Sequence, residues 1–148
     1  HQRNVLLFQL GYATFMNDGP DKAYDVWRSL KFPRKPSPYY DAVRYAAANG
    51  CVKSRNSQIA SWGFRNLKKL AFSKRDNLYS RNAWVQYARI LARSDKHTAK
   101  GLDMMRNLPV SENAALNARN GRIAKWLLAT ELKEKAKNTP ENTGKQAK

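Results

Sequence analysis

The chain has 148 residues, with 28 Lys or Arg against 11 Asp or Glu and a formal net charge of +17. At 42% hydrophobic and 11% aromatic residues it has the material for a core, which argues against disorder of the whole chain. The single Cys51 excludes an internal disulfide framework, and no apolar run approaches the roughly 20 residues needed to span a bilayer.

Gly and Pro are clustered and act as punctuation. Between them the apolar spacing is helical, and β-branched runs are absent. The pattern predicts an all-α fold of about seven helices, near 3–17, 20–30, 38–49, 56–72, 81–93, 97–107 and 112–135. Pro20 with Asp21, Ser37 with Pro38, and Ser111 with Glu112 mark helix starts. Pro33, Gly50 and Pro109 mark stops. One domain over 1–135 is expected, built of antiparallel helix pairs in a short repeat-like array or an irregular bundle. A flexible basic and polar tail is expected at 136–148. The opening His1-Gln2-Arg3-Asn4 lacks Met, so a fragment or processed form is expected. The sequence leaves the compartment open; a cytoplasmic or intracellular assembly is the favoured expectation, with a processed or secreted form, an effector or virion component, as the other option.

A shift of 37 residues brings Leu10-Gly11 onto Ala47-Ala48, Ala23 onto Ala60, Trp27 onto Phe64 and Leu30 onto Leu67. A third, slipped copy would use Tyr87-Ala88, Ala99, Met104 and Leu108. Small residues let helix axes approach, and the aromatic at i+4 fills the space beside them. The pattern resembles the tetratricopeptide or Sel1-like helical repeat over about half the chain. Leu10, Gly11, Ala23 and Trp27 match its signature. Leu7 and Thr14 depart from it, and the closing Pro is displaced to Pro36. The resemblance implies a scaffold that binds a protein or peptide.

The charge is uneven. Residues 53–100 hold 12 Lys or Arg and 2 Asp or Glu, net +10. On the fourth helix Arg65, Lys68 and Lys69 share the side opposite Ile59 and Leu67. On the fifth, Arg81, Arg89 and Arg93 recur at multiples of four and predict a second basic stripe. The linker adds Lys74, Arg75 and Tyr79, the last as a stacking side chain in a loop. Lys53, Arg55, Lys96 and Lys100 flank the block. Lys and Arg at such density attract phosphates, and Arg adds bidentate contacts and base stacking. A charge of +17 also exceeds the roughly 2–8 that solubility asks of a small domain.

The four Trp residues, Trp27, Trp62, Trp84 and Trp126, read as core. Tyr39 and Tyr40, between Pro38 and Asp41, read either as a partner-binding pair lining a groove or as a staple of the third helix to the second. No catalytic constellation emerges. His97 has no Cys or His at ligand spacing. Asp21 and Asp25 read as a solvated helix start, and no phosphate-binding glycine loop is present. The expectation is a non-catalytic module without metal or cofactor. Its partner is a polyanion, RNA or single-stranded nucleic acid first, with other protein subunits beside it. The alternative is a helical-repeat scaffold that binds an acidic protein.

Overall fold

A computed structural model of the chain describes residues 1–35 and 37–138. Pro36, and the part of the expected tail at 139–148, lie outside the described residues. Among those described there are seven α-helices and no strand: α1 Gln2–Asp18, α2 Pro20–Trp27, α3 Pro38–Cys51, α4 Ser57–Ala71, α5 Leu78–Ala92, α6 Thr98–Arg106 and α7 Ala114–Lys137. The chain is all-α, as its periodicity predicts. It divides into two compact units, His1–Trp84 and Val85–Lys148, and the division falls inside α5.

The first unit is built on two helix pairs, α1 with α2 and α3 with α4. The break between α1 and α2 is Gly19 at φ 88, in the left-handed region where a Cβ is strained. Pro20 then opens α2, where a missing N–H costs nothing. Gly11 lets α1 close on α2: a Cβ there would lie 2.0 Å from Nε1 of Trp27. The Trp27 ring, 1% exposed, stacks on Phe8 and Phe15 at centroid distances of 6.5 and 5.9 Å. Its indole N–H donates to the Phe8 carbonyl at 3.4 Å. Ala23, Ala47, Cys51 and Ile59 complete this core, and Phe15, Tyr24, Leu30 and Trp62 pack around it.

Gly11, Ala23 and Trp27, which carry the repeat resemblance, thus meet in one interface. Any closely packed helix pair would produce this arrangement. Their counterparts Ala60 and Phe64 are half-buried. Gly50 does not end α3, as the sequence suggests. It lies inside the helix, against Phe15 and Trp27.

The second pair is held the same way. A Cβ on Gly63 of α4 would sit 2.6 Å from the Ala48 carbonyl. The Asn56 side chain accepts from the amides of Gln58 and Ile59 and caps α4. A polar latch then ties the start of α3 to the loop after α4. Asp41, 7% exposed, accepts from Arg75 and from Asn77 Nδ2. Asn77 Oδ1 takes the amides of Tyr79 and Ser80 at 3.0 Å, which starts α5 earlier than its apolar spacing suggests.

The second unit holds the rest of α5 with α6 and α7. Gly101 lets α6 close on α5, because a Cβ there would lie 2.2 Å from the Ala92 amide nitrogen. Leu91, Leu102, Met105, Ala124 and Leu127 are among its buried side chains. The cap of α7 is Asn113, two residues beyond the expected Ser111. Its side chain accepts from the Leu116 amide, while Ser111 Oγ accepts from the Asn113 amide.

Candidate nucleic-acid interface

The outer face of α4 follows from its periodicity. Ile59, Gly63, Leu67 and Leu70 turn inward, so Arg65, Lys68 and Lys69 are exposed. Lys68 and Lys69 also stand in the last turn, where the helix dipole favours cations.

Beside this face lies a groove of about 380 Å³. Four cations line it: Arg28 from the end of α2, Arg44 from α3, and Arg65 and Lys69 from α4. Among the described residues, no Asp or Glu lines the groove. Arg28, Arg65 and Lys69 form no ion pair among those residues. Arg44 is held in one pose. Its guanidinium lies 4.0 Å over the Phe32 ring. One terminal N–H donates to Asn66 Oδ1 at 3.0 Å, and Asn66 in turn donates to the Trp62 carbonyl at 2.9 Å. Burial lowers the Arg44 pKa from its ordinary value, with the Asp41 carboxylate acting in the other direction. The groove therefore gathers like charges around an oriented guanidinium, with the rings of Phe32 and Trp62 in its walls.

Of the residues singled out in the sequence, the structure brings Arg65 and Lys69 together here. Lys53 and Arg55 are exposed in the turn before α4, and Lys68 is exposed beside Lys69. Lys74 is exposed in the loop after α4. Lys96 and Lys100 are exposed in the second unit.

The expected stripe on α5 does not form. Each four-residue step advances about 40° beyond a full turn, so Arg81 and Arg93 stand about 120° apart. Arg81 is 6% exposed and donates to Asp76 and to the Arg75 carbonyl. Arg89 and Arg93 both pair with the buried Glu131, at 3.4 and 3.0 Å. Arg75 is engaged by Asp41. Tyr79 is not in a loop: it sits half-buried in the first turn of α5, 6.5 Å from the Tyr45 ring.

Two further readings change. Trp126, expected in the core, is 67% exposed. Tyr40 is tied to the start of α1, its hydroxyl lying 3.0 Å from His1 Nδ1 and accepting from Asn4 Nδ2 at 3.3 Å. Tyr39 stands edge-on to Tyr40 at 5.2 Å. Tyr40 is thus packed against the start of α1, while Tyr39 keeps 37% of its surface exposed.

Arg28 and Arg44 are the groove residues that sequence reasoning missed. Both lie outside the basic block, and their one local signal is Phe32 four residues after Arg28. Cys51 is fully buried, and burial, with Asp21 nearby, pushes its thiol up to about 12. It is therefore a protonated core side chain at neutral pH. Among the described residues no cluster of His, Cys, Asp and Glu could hold a metal, and no helix is long and apolar enough to cross a membrane. Neither a family model, nor a curated protein, nor a solved structure matches the chain.

Proposed function

We propose that the chain is a non-catalytic helical module of a larger assembly that binds RNA or single-stranded nucleic acid. The groove carries this reading: four cations and two aromatic rings, with no acid in its lining among the described residues. Like charges held around one cavity repel each other, and an anion placed between them relieves that repulsion. Arg28, Arg44 and Arg65 offer planar forks that fit phosphate oxygens. Trp62 and Phe32 are half-buried, and the Arg44 guanidinium lies over the Phe32 ring, so the groove meets a base with the stacked guanidinium and the part of Trp62 left in its wall. The α4 face continues the positive surface through Lys68.

The reading is tested by fluorescence anisotropy with a labelled oligo(U) over a salt series. Four phosphate contacts to a single strand give a slope of log K against log salt near about −2.8. Arg65→Glu with Lys69→Glu should weaken binding at least tenfold and bring the slope towards about −1.4. Binding that ignores salt, or that the double variant leaves intact, would overturn the reading.

A further inference from the structure

Glycine usage points to a second surface. At Gly11, Gly50, Gly63 and Gly101 an added Cβ would lie within 3.1 Å of a neighbouring ring or backbone atom, so each is small because something packs on it. Gly19 is required by its φ of 88. Gly121 has neither reason. It lies in the middle of α7 without a positive φ, and an added Cβ would meet nothing within 4 Å. An interior glycine weakens a helix relative to alanine, and no described part of the chain makes use of its small size.

Gly121 lines a groove of about 690 Å³ formed by α6, the residues just after it, and α7. Ala118, Gly121, Lys125 and Leu128 recur at i, i+3, i+7 and i+10, one face of α7. Met105 and Leu108 supply the opposite wall. Three cations stand around this aliphatic floor: Arg106 from α6, and Arg122 and Lys125 from α7. Among the described residues, none of the three forms an ion pair. No acid and no aromatic ring lines the groove among those residues.

We infer that this groove docks an acidic amphipathic helix of a partner protein. A helix seated in a groove presents apolar anchors at i, i+3, i+4 and i+7, and the aliphatic floor is built to receive such side chains. Met105 adapts to irregular shapes. Ala118 and Gly121 remove bulk at the closest approach, which lets a second helix axis reach the usual packing distance. Arg106, Arg122 and Lys125 complement Asp and Glu on the flanks of such a helix. A floor without a ring gives a nucleobase nothing to stack on, so nucleic acid fits this groove worse than a peptide does. The site lies in the second unit, shares no residue with the groove of the first, and does not depend on RNA binding.

The test uses the full chain and a fluorescein-labelled peptide of roughly 18 residues, long enough to hold a helix. It carries Leu at i, i+3, i+4 and i+7 and Glu on both flanks. A twin carries Lys in place of every Glu. The acidic peptide should bind and the basic twin should not. Gly121→Leu fills the groove from a position where its Cβ is unopposed, so helicity by circular dichroism should hold while peptide affinity falls at least tenfold. Arg122→Glu with Lys125→Glu should cause a similar loss. Oligo(U) at saturation should leave the peptide bound. No binding of the acidic peptide would overturn the inference. So would equal binding of the twin, full affinity in helical Gly121→Leu, or displacement by oligo(U). Concentration-dependent self-association abolished by Gly121→Leu would instead assign the groove to a second copy of this chain.

Discussion

The groove of the first unit and the groove of the second differ in what their cations surround. In the first, three arginines and a lysine stand around Phe32, Trp62 and the amide of Asn66. In the second, two arginines and a lysine stand around methionine, leucine and small residues. Charge alone makes both attractive to anions. The floor decides between them: rings and an oriented guanidinium suit phosphates and bases, while an aliphatic trough suits side chains. A net charge of +17 is therefore not one property of one surface. Four arginines among the 28 cations are also already engaged by acids. Arg75, Arg81, Arg89 and Arg93 pair with Asp41, Asp76 and Glu131, and these pairs hold the units together internally.

The sharpest way to break the comparison is through glycines that look alike in sequence. Gly63→Val should destabilise the first unit by about 3 kcal/mol, because the added carbon meets backbone that cannot move aside. The loss appears as a lower urea midpoint with an unchanged m-value. Oligo(U) binding should then be lost at the lower urea concentration where that unit unfolds, while the acidic peptide still binds the second unit. Loss of both activities together would show that the two units fold as one and that their grooves cannot be assessed apart.

The helices were legible because helical periodicity is local: the apolar stripes and boundaries such as Pro20 and Pro38 lie within a few residues of each other. The α4 face was legible for the same reason, since Arg65 and Lys69 are four apart on one helix. Arg28 and Arg44 were not, because only the docking of α2, α3 and α4 brings them beside Arg65. Arg81 was misplaced by treating a spacing of four as one face over three turns. Trp126 was misplaced because hydrophobicity was read without direction. Asn120, Ala124, Leu127 and Glu131 form the buried face of α7, and Trp126 lies about 160° from Ala124 at 100° per residue. The buried Glu131 had no local signal, since its partners Arg89 and Arg93 come from α5.

That ion-paired cluster allows a second, smaller intervention. Glu131 is 3% exposed and compensates two arginines whose side chains are 34% and 54% exposed. Glu131→Gln removes the charge while keeping the shape. A fully buried pair broken this way costs about 3–5 kcal/mol. Here water reaches both arginines, so the cost should be about 1–2 kcal/mol. The loss should be confined to the second unit, as read by hydrogen exchange along α7. Oligo(U) affinity should stay within twofold of the parent. A larger gain would mean that Arg89 and Arg93, once released, join the interface, and would restore the basic face that α5 lacks.

The smallest effect is the most diagnostic of the second groove. Gly121→Ala adds one methyl group to a position that nothing touches. Alanine in a helix interior is favoured over glycine by up to about 1 kcal/mol, so thermal stability should rise. Gly63→Ala, by contrast, should lower it, because its new carbon meets the Ala48 carbonyl at 2.6 Å. The same methyl group also takes space from the groove, so the acidic peptide should bind Gly121→Ala two- to threefold more weakly, between the parent and Gly121→Leu. A graded loss of binding along Gly, Ala and Leu, with stability moving the other way at the first step, separates a seat for a ligand from a packing defect. A packing defect would improve as it is filled and cost no affinity. A seat kept open for another molecule becomes more stable when filled and binds less well.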